Sequence, residues 1–571
     1  MPMTPFTIPT SKKEMEALGW DQADVILFTG DAFVDHPSFG TAVIARVLES
    51  RGYKVAVIPQ PNWRDDLRDF RKLGRPRLFF GVSSGAMDSM VNHYTASKRL
   101  RSNDAYTPES RAGYRPDYAV TVYSNILKQL YPDVPIVLGG IEASLRRLTH
   151  YDYWQDCLKP SILIDSKADW LVYGMGEKAN VAIADAIASG ASVEQIRTLP
   201  QVGYVADQAP DGDYFDLHSY ESCCRNKLAF AQNFNIIERE ANRLHAEVLV
   251  EQVGDRFVCI NPPYPPATTE EMDEIYALPF TKLPHPRYKG KRIPAYDMIK
   301  FSITTHRGCF GGCNFCTIAA HQGKFIQSRS VESIVAEAEA LNDLPDFKGN
   351  ISDLGAPTAN MYKMGGRNKE LCAKCSRQSC LYPRMCKNLD NDHKPLLELY
   401  KAVAEVPGIR HAYIGSGIRY DLFLGLEGCF DATCEQYLRE LIVNHTSGRL
   451  KVAPEHTQDN VLQVMGKPSF KLFEVLRDKF DQINRKEKLK FQLVPYFISG
   501  HPGCGMRDMA ALAQNKALRG LYMDQVQDFT PTPMTVSSVM FYSGMDPRTL
   551  KPVFVEKDIE KKRKQKLYFF K

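Results

Sequence analysis

The stretch Thr305-His306-Arg307-Gly308-Cys309-Phe310-Gly311-Gly312-Cys313-Asn314-Phe315-Cys316 constrains this chain more than any other feature. Its spacing, C-x3-C-x2-C, supplies three thiolates from one loop and no fourth. Three thiolates hold a four-iron cluster while leaving one iron open to a ligand that is not protein, whereas a structural zinc usually takes four protein ligands. Gly308, Gly311 and Gly312 let the backbone fold tightly round a bulky group, and Arg307 brings charge to an anionic site. Residues 300–304 before the loop read as a β-strand. Residues 330–341 after it read as a helix, with Val331, Ile334, Val335, Ala338 and Leu341 at helical spacing.

Strand, cysteine loop and helix in this order resemble the opening unit of the radical S-adenosylmethionine (radical SAM) enzymes. The resemblance implies a [4Fe-4S] cluster on Cys309, Cys313 and Cys316. Its open iron takes the amino and carboxylate groups of S-adenosylmethionine, which is then cleaved reductively to a 5′-deoxyadenosyl radical. It also implies that Phe315 flanks the cofactor. Residues 350–362 read as a strand ending in a Gly-Ala-Pro turn, where the carbonyls of Gly355 and Ala356 would accept hydrogen bonds from the cofactor's ammonium group. Residues 412–421 read as a third strand, with Ser416 and Arg419 in reach of the cofactor's ribose or carboxylate. Residues 450–456 and 491–503 read as two more strands. Glu455, His456 and His501 stand at their ends, where (β/α) barrels concentrate catalytic groups. The expected core is a partial (β/α) barrel.

A second cysteine set, Cys372, Cys375, Cys380 and Cys386, lies in an insertion rich in Lys and Arg. Four thiolates suit zinc or an auxiliary iron-sulfur cluster equally, in a structural or electron-relaying role. Cys157, Cys223, Cys224, Cys259, Cys429, Cys434 and Cys504 read as buried apolar residues. The 14 cysteines cluster in metal-like spacings and the first residues lack an apolar leader, so reduced thiols and a cytoplasmic location are expected. No apolar run is long enough to cross a bilayer. A net charge of +5 on 571 residues does not indicate a nucleic-acid partner.

A chain of this length calls for two or three domains. Residues 1–200 read as an α/β domain: short apolar strands at 23–28, 55–58, 78–82, 136–140 and 170–174 alternate with helices, as in a doubly wound, Rossmann-like parallel sheet with its ligand crevice at the carboxyl ends of the strands. Asp35, His36 and Gly40 come close to the D-x-H-x-x-G of cobalamin-binding domains but miss it by one residue, so the Asp-His-Pro loop reads as a cap on the following helix. Residues 201–295 read as a connecting segment, its prolines between Pro262 and Pro294 making an extended linker. The core is expected over 296–530 with the insertion at 367–390, followed by a C-terminal extension, 531–571, whose basic run Lys561-Lys562-Arg563-Lys564 reads as a solvated helix.

Longer motifs narrow the resemblance. Met87 to Ala96, Gly139 to Arg147 with His150 to Trp154, Tyr173 to Glu177, His321-Gln322-Gly323-Lys324, Asp353 to Tyr362 and Ala453-Pro454-Glu455-His456 resemble the YgiQ-type radical SAM family over about residues 10–550. This names the chemistry and not the substrate, and it implies a reductant such as flavodoxin or ferredoxin. Glu142, Arg146 and Arg147 with Tyr151, Tyr153 and Trp154 offer charge and stacking surface either to a charged or planar substrate or to an interdomain seam. Methylthiotransferase-like modification of RNA or protein is one rival reading. A noncatalytic iron-sulfur or zinc protein for electron transfer or scaffolding is another.

Overall fold

The computed structural model describes residues 7–424, 432–521 and 525–570. Cys429 lies outside them. The N-terminal half is built on a nine-stranded sheet: β1 (Val25–Thr29), β2 (Val55–Pro59), β3 (Phe79–Ser83), β4 (Ile136–Leu138), β5 (Trp170–Val172), β6 (Val202–Ala206), β7 (Tyr214–Leu217), β8 (Val248–Val253) and β9 (Arg256–Ile260). The order is β2-β1-β3-β4-β5-β6-β9-β8-β7. Its first five strands are parallel, with Val25 opposite both Val55 and Phe79. Alternate residues of β1 serve opposite faces, which is why the strand is apolar throughout. Val25 and Leu27 pack with Ala42, Ala45 and Leu48 of helix α1 (Gly40–Ser50), and Ile26 and Phe28 pack with Ala119, Tyr123 and Leu127 of α2 (Ala119–Leu130). Each of the valine, leucine, isoleucine and phenylalanine side chains among them contributes roughly 1.5–3 kcal/mol by leaving water.

Residues 202–260 do not connect domains as expected. They extend the sheet, with β6 antiparallel to both β5 and β9. The linker after them is also less extended than its prolines indicate. Thr268 accepts from the Glu271 amide and the Glu271 carboxylate accepts from the Thr268 amide, a capping box that starts α5 (Thr269–Tyr276).

The second half is a partial barrel of parallel strands. β10 (Ser302–Thr304) pairs with β12 (Asp353–Gly355), and β11 (Asn350–Ile351) pairs with β13 (His411–Ala412). A bridge from Ile418 to Val452 leads on to β14 (Arg449–Glu455), β15 (Gln492–Ser499) and β16 (Gln525–Asp528). The third strand is shorter than expected because the Asp353 carboxylate takes the Gly415 and Ser416 amides at 2.9 and 3.1 Å, withdrawing them from any ladder. A 3₁₀ turn, Tyr420–Leu422, follows. Among the described residues no helix is long and apolar enough to cross a membrane.

The C-terminal extension closes both halves. In helix α8 (Val536–Ser543), Phe541 packs on Tyr151 and Tyr153 of the N-terminal half, and the Ser537 amide donates to the Asn314 carbonyl of the cysteine loop at 2.9 Å. The basic helix α9 (Ile559–Leu567) is not simply solvated. Lys562 is buried, donates to the Phe529 carbonyl at 3.1 Å and lies over the Tyr153 ring, and burial pushes its ammonium down to about 8. Gln565 accepts from the Gly500 amide.

Candidate functional site

The cysteine loop leaves β10 at its carboxyl end and returns through α6 (Ile318–Gln322) before α7 (Val331–Ala340). The first turn is held by neutral groups. His306 Nε2 sits 3.1 Å from the Thr358 carbonyl, and burial lowers the imidazole to about 3. Gly312 has φ +63°, and a Cβ there would lie 2.6 Å from Ser379 Cβ, so only glycine lets the loop meet the cysteine-rich insertion. That contact is built from hydrogen bonds: Ser379 Oγ donates to the Gly311 carbonyl at 2.8 Å, and the Cys380 amide donates to the Phe310 carbonyl at 3.0 Å. Asn314 fastens the far side, its amide donating to Met465 and its side chain to Val464.

Cys309 is buried and Cys313 and Cys316 are half-buried. The sulfurs are served by donors. The Gly311 amide reaches Cys309 Sγ at 3.4 Å, Thr358 Oγ1 lies 3.3 Å from it, and Arg419 Nη1 donates to Cys313 Sγ at 3.1 Å. Burial, reinforced by the neighbouring cysteines, pushes the Cys316 thiol up to about 12. Among the described residues no three Cys, His, Asp or Glu side chains are placed to hold one metal ion. Convergence on a point is a demand of a single ion. A multi-iron cluster takes one thiolate per iron, and three buried or half-buried thiols served by N–H and hydroxyl donors, with no carboxylate hydrogen-bonded to a sulfur among the described residues, suit that donor set.

The other expected site residues fall out unequally. Ala356 and Ser416 face the same cavity, but the Ser416 hydroxyl is bonded to Asp353, and the Gly355 carbonyl already accepts from the Thr305 amide at 2.9 Å and its hydroxyl at 3.3 Å. Arg419 turns from the strand end toward the cysteines. Its Nε and Nη2 pair with Asp421, whose carboxyl stays below its usual range because Arg419 outweighs burial. Phe315 meets His501 edge to face at 6.0 Å. Glu455 ends β14 with φ +68°, a conformation that costs a non-glycine residue of order 1 kcal/mol or more. Burial raises its carboxyl against the pull of Lys467 and Arg419, and its charge bears on Cys316. His456 and His501 are spent on packing: His456 Nδ1 accepts from the Gln458 amide, and His501 Nε2 lies 2.7 Å from Ser537 Oγ. Arg307 faces away from the cysteines to pair with Glu177 of the N-terminal half. Thr358 and Asp421 were not singled out from the sequence. A carboxylate two residues past Arg419 was the available signal for the second.

In the second set, the Cys386 amide donates to the Cys380 carbonyl at 2.7 Å, Asn388 Nδ2 approaches Cys372 Sγ at 3.4 Å, and the Arg377 amide approaches Cys375 Sγ at 3.4 Å. Burial pushes the Cys380 thiol up to about 11. Cys309 and Phe310 share one apolar cluster with Leu381, Cys380 and Cys386, so the two cysteine sets are packing neighbours. Of the cysteines read as buried apolar residues, Cys157 and Cys224 are instead exposed.

A cavity of about 550 Å³ joins the halves. One wall is the carboxyl edge of the sheet, with Gly40, Ser83, Gly139 and Gly176; the other is the barrel, with Thr304, Gly355, Ala356 and Ser416. It lies where sheets of order 2-1-3 open their ligand crevice. Asp35 and His36 are not part of this lining, although Pro37 and Ser38 of the same loop are. Asp35 is paired with Arg46 and accepts from the Thr281 amide, and α1 begins without a side-chain cap, so the expected capping role is replaced by an ion pair. Glu142 accepts from the Ser89 and Val120 amides, Arg146 pairs with Asp88, and Tyr151 and Tyr153 form the seam with α8.

The family model described as radical SAM N-terminal matches residues 7–302, and a domain of unknown function matches residues 524–569. A UPF0313 protein of Bacteroides thetaiotaomicron is 58% identical, the match covering 99% of this chain and 93% of that protein. One from Porphyromonas gingivalis is 53% identical over 100% and 90%, and one from Methanocella arvoryzae is 47% identical over 97% and 91%. Among solved structures, the radical S-adenosylmethionine methyltransferase TsrM of Kitasatospora setae, with cobalamin and a [4Fe-4S] cluster bound, aligns with TM-score 0.49 and 14% identity over 90% of this chain and 74% of that one. The cobalamin-dependent S-adenosylmethionine radical enzyme OxsB aligns with TM-score 0.47 and 10% identity over 88% and 52%. The identities to full-length relatives and the N-terminal family model together place the chain in the UPF0313, or YgiQ, family of radical SAM proteins.

Proposed function

We propose that the chain is an enzyme that holds a [4Fe-4S] cluster on Cys309, Cys313 and Cys316 and binds S-adenosylmethionine against the strand ends at Ala356 and Ser416. When bound, the cluster supplies the electron that cleaves S-adenosylmethionine to a 5′-deoxyadenosyl radical. The observation that carries this reading is the set of donors aimed at the Cys309 and Cys313 sulfurs, above all Arg419 Nη1 on Cys313. Such hydrogen bonds stabilise negative charge on sulfur and tune a cluster's potential. Asp353 ties β12 to residues 415–416 and fixes the wall that faces the cofactor. With both lone pairs of the Gly355 carbonyl directed at Thr305, the ammonium contact falls to the Ala356 carbonyl. The N-terminal sheet covers the barrel mouth and keeps water from a reactive carbon radical. Electrons come from a reductant such as flavodoxin or ferredoxin.

The test is anaerobic reconstitution with iron and sulfide, then a dithionite-reduced assay for 5′-deoxyadenosine, beside the Cys309→Ala, Cys313→Ala, Cys316→Ala triple variant. Product from the parent and none from the variant is the expected result. A fully loaded cluster that never yields 5′-deoxyadenosine from S-adenosylmethionine would turn the reading toward electron transfer.

A further inference from the structure

Seven arginines are more than nine-tenths buried among the described residues, and six of them have a carboxylate partner. Arg46 has Asp35, Arg115 has Asp31 and Asp104, Arg146 has Asp88, Arg307 has Glu177, Arg329 has Glu337 and Arg419 has Asp421. The seventh is Arg147, 4% exposed and without an ion pair. Its Nη1 donates to the Ser144 carbonyl at 2.7 Å and its guanidinium lies 4.9 Å from the Tyr173 ring centroid, but its buried Nε has no hydrogen-bond partner. Arg46 and Arg419 use this same Nε edge to grip an aspartate. Arg146 likewise leaves its Nε without a partner but has Asp88, so what sets Arg147 apart is the missing carboxylate. A buried, uncompensated charge is destabilising, and a fold that pairs its other buried arginines tolerates one where a ligand offsets it.

Arg147 lines a second cavity of about 580 Å³. Of the acidic groups around it, Glu177 is engaged with Arg307, Glu240 with Arg239 and Arg243, Glu271 with Lys178 and Asp185 with the Tyr53 hydroxyl, while Glu247 and Glu274 are exposed on its rim. Gly174, Met175, Glu177, Arg307, His321 and Gln322 border this cavity and also the one that reaches Ala356 and Ser416. The two thus adjoin along these residues, and His321, whose Nδ1 is 3.0 Å from Ser144 Oγ, stands where they meet.

We propose that Arg147 anchors an oxyanion, a carboxylate or a phosphate, of the molecule on which the chemistry acts. This rests on the function proposed above and gives its substrate class: an anionic molecule paired with the Arg147 guanidinium, its anionic end in the Arg147 cavity and its reacting end toward the strand ends. The test needs neither iron nor S-adenosylmethionine, so its failure and that of the radical reading are separable. The purified full chain is titrated calorimetrically with inorganic phosphate and, separately, with malonate, at constant ionic strength set by chloride, and its thermal unfolding is followed in the same series. Saturable binding at one site in one arm, with a rise in Tm, is expected, and the arm that saturates assigns the anion. Arg147→Met should weaken that binding at least about 10-fold and, without anion, unfold no earlier than the parent, since it removes an unpaired buried charge. Arg147→Lys keeps the charge, loses the planar guanidinium and should fall between. No saturable binding of either anion by the parent, or unchanged affinity in Arg147→Met, overturns the proposal. If Arg147→Met does not fold, unchanged affinity in Arg147→Lys overturns it.

Discussion

Arg115 in the N-terminal sheet and Arg419 in the barrel are both buried and both held by aspartate, yet they do different things. Arg115 is closed on every side: Nε on Asp104, Nη2 on Asp31 and Nη1 on the Ser84 carbonyl. Arg419 gives one edge to Asp421 and points the remaining nitrogen at Cys313. The contrast extends to the regions around them. The Arg115 cluster in the sheet half satisfies itself, whereas Arg419 at the barrel's strand ends, together with Thr358, is directed at a loop of thiols. Substitutions in the barrel should therefore change chemistry more than folding, and those in the sheet should change folding more than chemistry.

The largest effect that sharpens this contrast is loss of the loop cysteines. Cys309→Ala, Cys313→Ala and Cys316→Ala together should leave far-ultraviolet circular dichroism unchanged while 5′-deoxyadenosine formation falls by about 10³-fold or more, since a cluster without its ligands is not retained. A collapse of secondary structure instead would mean that the loop is structural. Next comes the insertion. Changing Cys372, Cys375, Cys380 and Cys386 to Ser should remove a second metal, measured as metal per chain, and slow the reaction about 10- to 100-fold, the range for groups that support a metal site without entering it. The route is physical contact, because the Cys380 amide and Ser379 hydroxyl hold the cysteine loop. Equal metal content in parent and variant would remove the insertion from the metal chemistry.

Arg419→Met is a smaller perturbation of the same site. It deletes the hydrogen bond to Cys313 and leaves Asp421 buried without its partner, so the reduced cluster should become harder to form and activity should drop about 10-fold. A shift of the cluster's midpoint potential to more negative values, followed by electron paramagnetic resonance in a redox titration, is the diagnostic readout. Unchanged potential with reduced stability would make Arg419 resemble Arg115.

How much of this was legible in the sequence follows the same division. β1, β2 and β3 are buried on both faces, so their apolar runs stand out, as do the cysteine spacings. β6 to β9 extend the sheet through pairs such as Tyr204 with Cys259, just ahead of the proline run at 262–294 that pointed to a linker. The truncated third barrel strand was hidden because its cause, Asp353 taking the amides of Gly415 and Ser416, acts across 62 and 63 residues of sequence. The roles of Arg146 and Arg147 could not be separated from their order in the chain: adjacent and chemically identical, they part only when one meets Asp88 and the other meets a cavity.

The sheet half holds one acid that sharpens the contrast with a purely thermodynamic effect. Glu251 is buried on β8, accepts from the Thr149 amide at 2.8 Å and leaves Oε1 without a partner. Burial pushes its carboxyl from the ordinary 4.5 up to about 7. Between those values the folded chain keeps a proton that the unfolded chain has released, so this group makes stability fall as pH rises from about 4.5 to 7 and hold its lower value above that. Glu251→Gln mimics the protonated acid. It should match the parent in urea unfolding near pH 4.5 and exceed it by up to about 3 kcal/mol at pH 8, with the rate of 5′-deoxyadenosine formation per folded molecule unchanged. Parallel pH profiles for parent and variant would show that Glu251 is ionised in the folded chain. A change in rate without a change in stability would put the sheet into the chemistry and break the comparison.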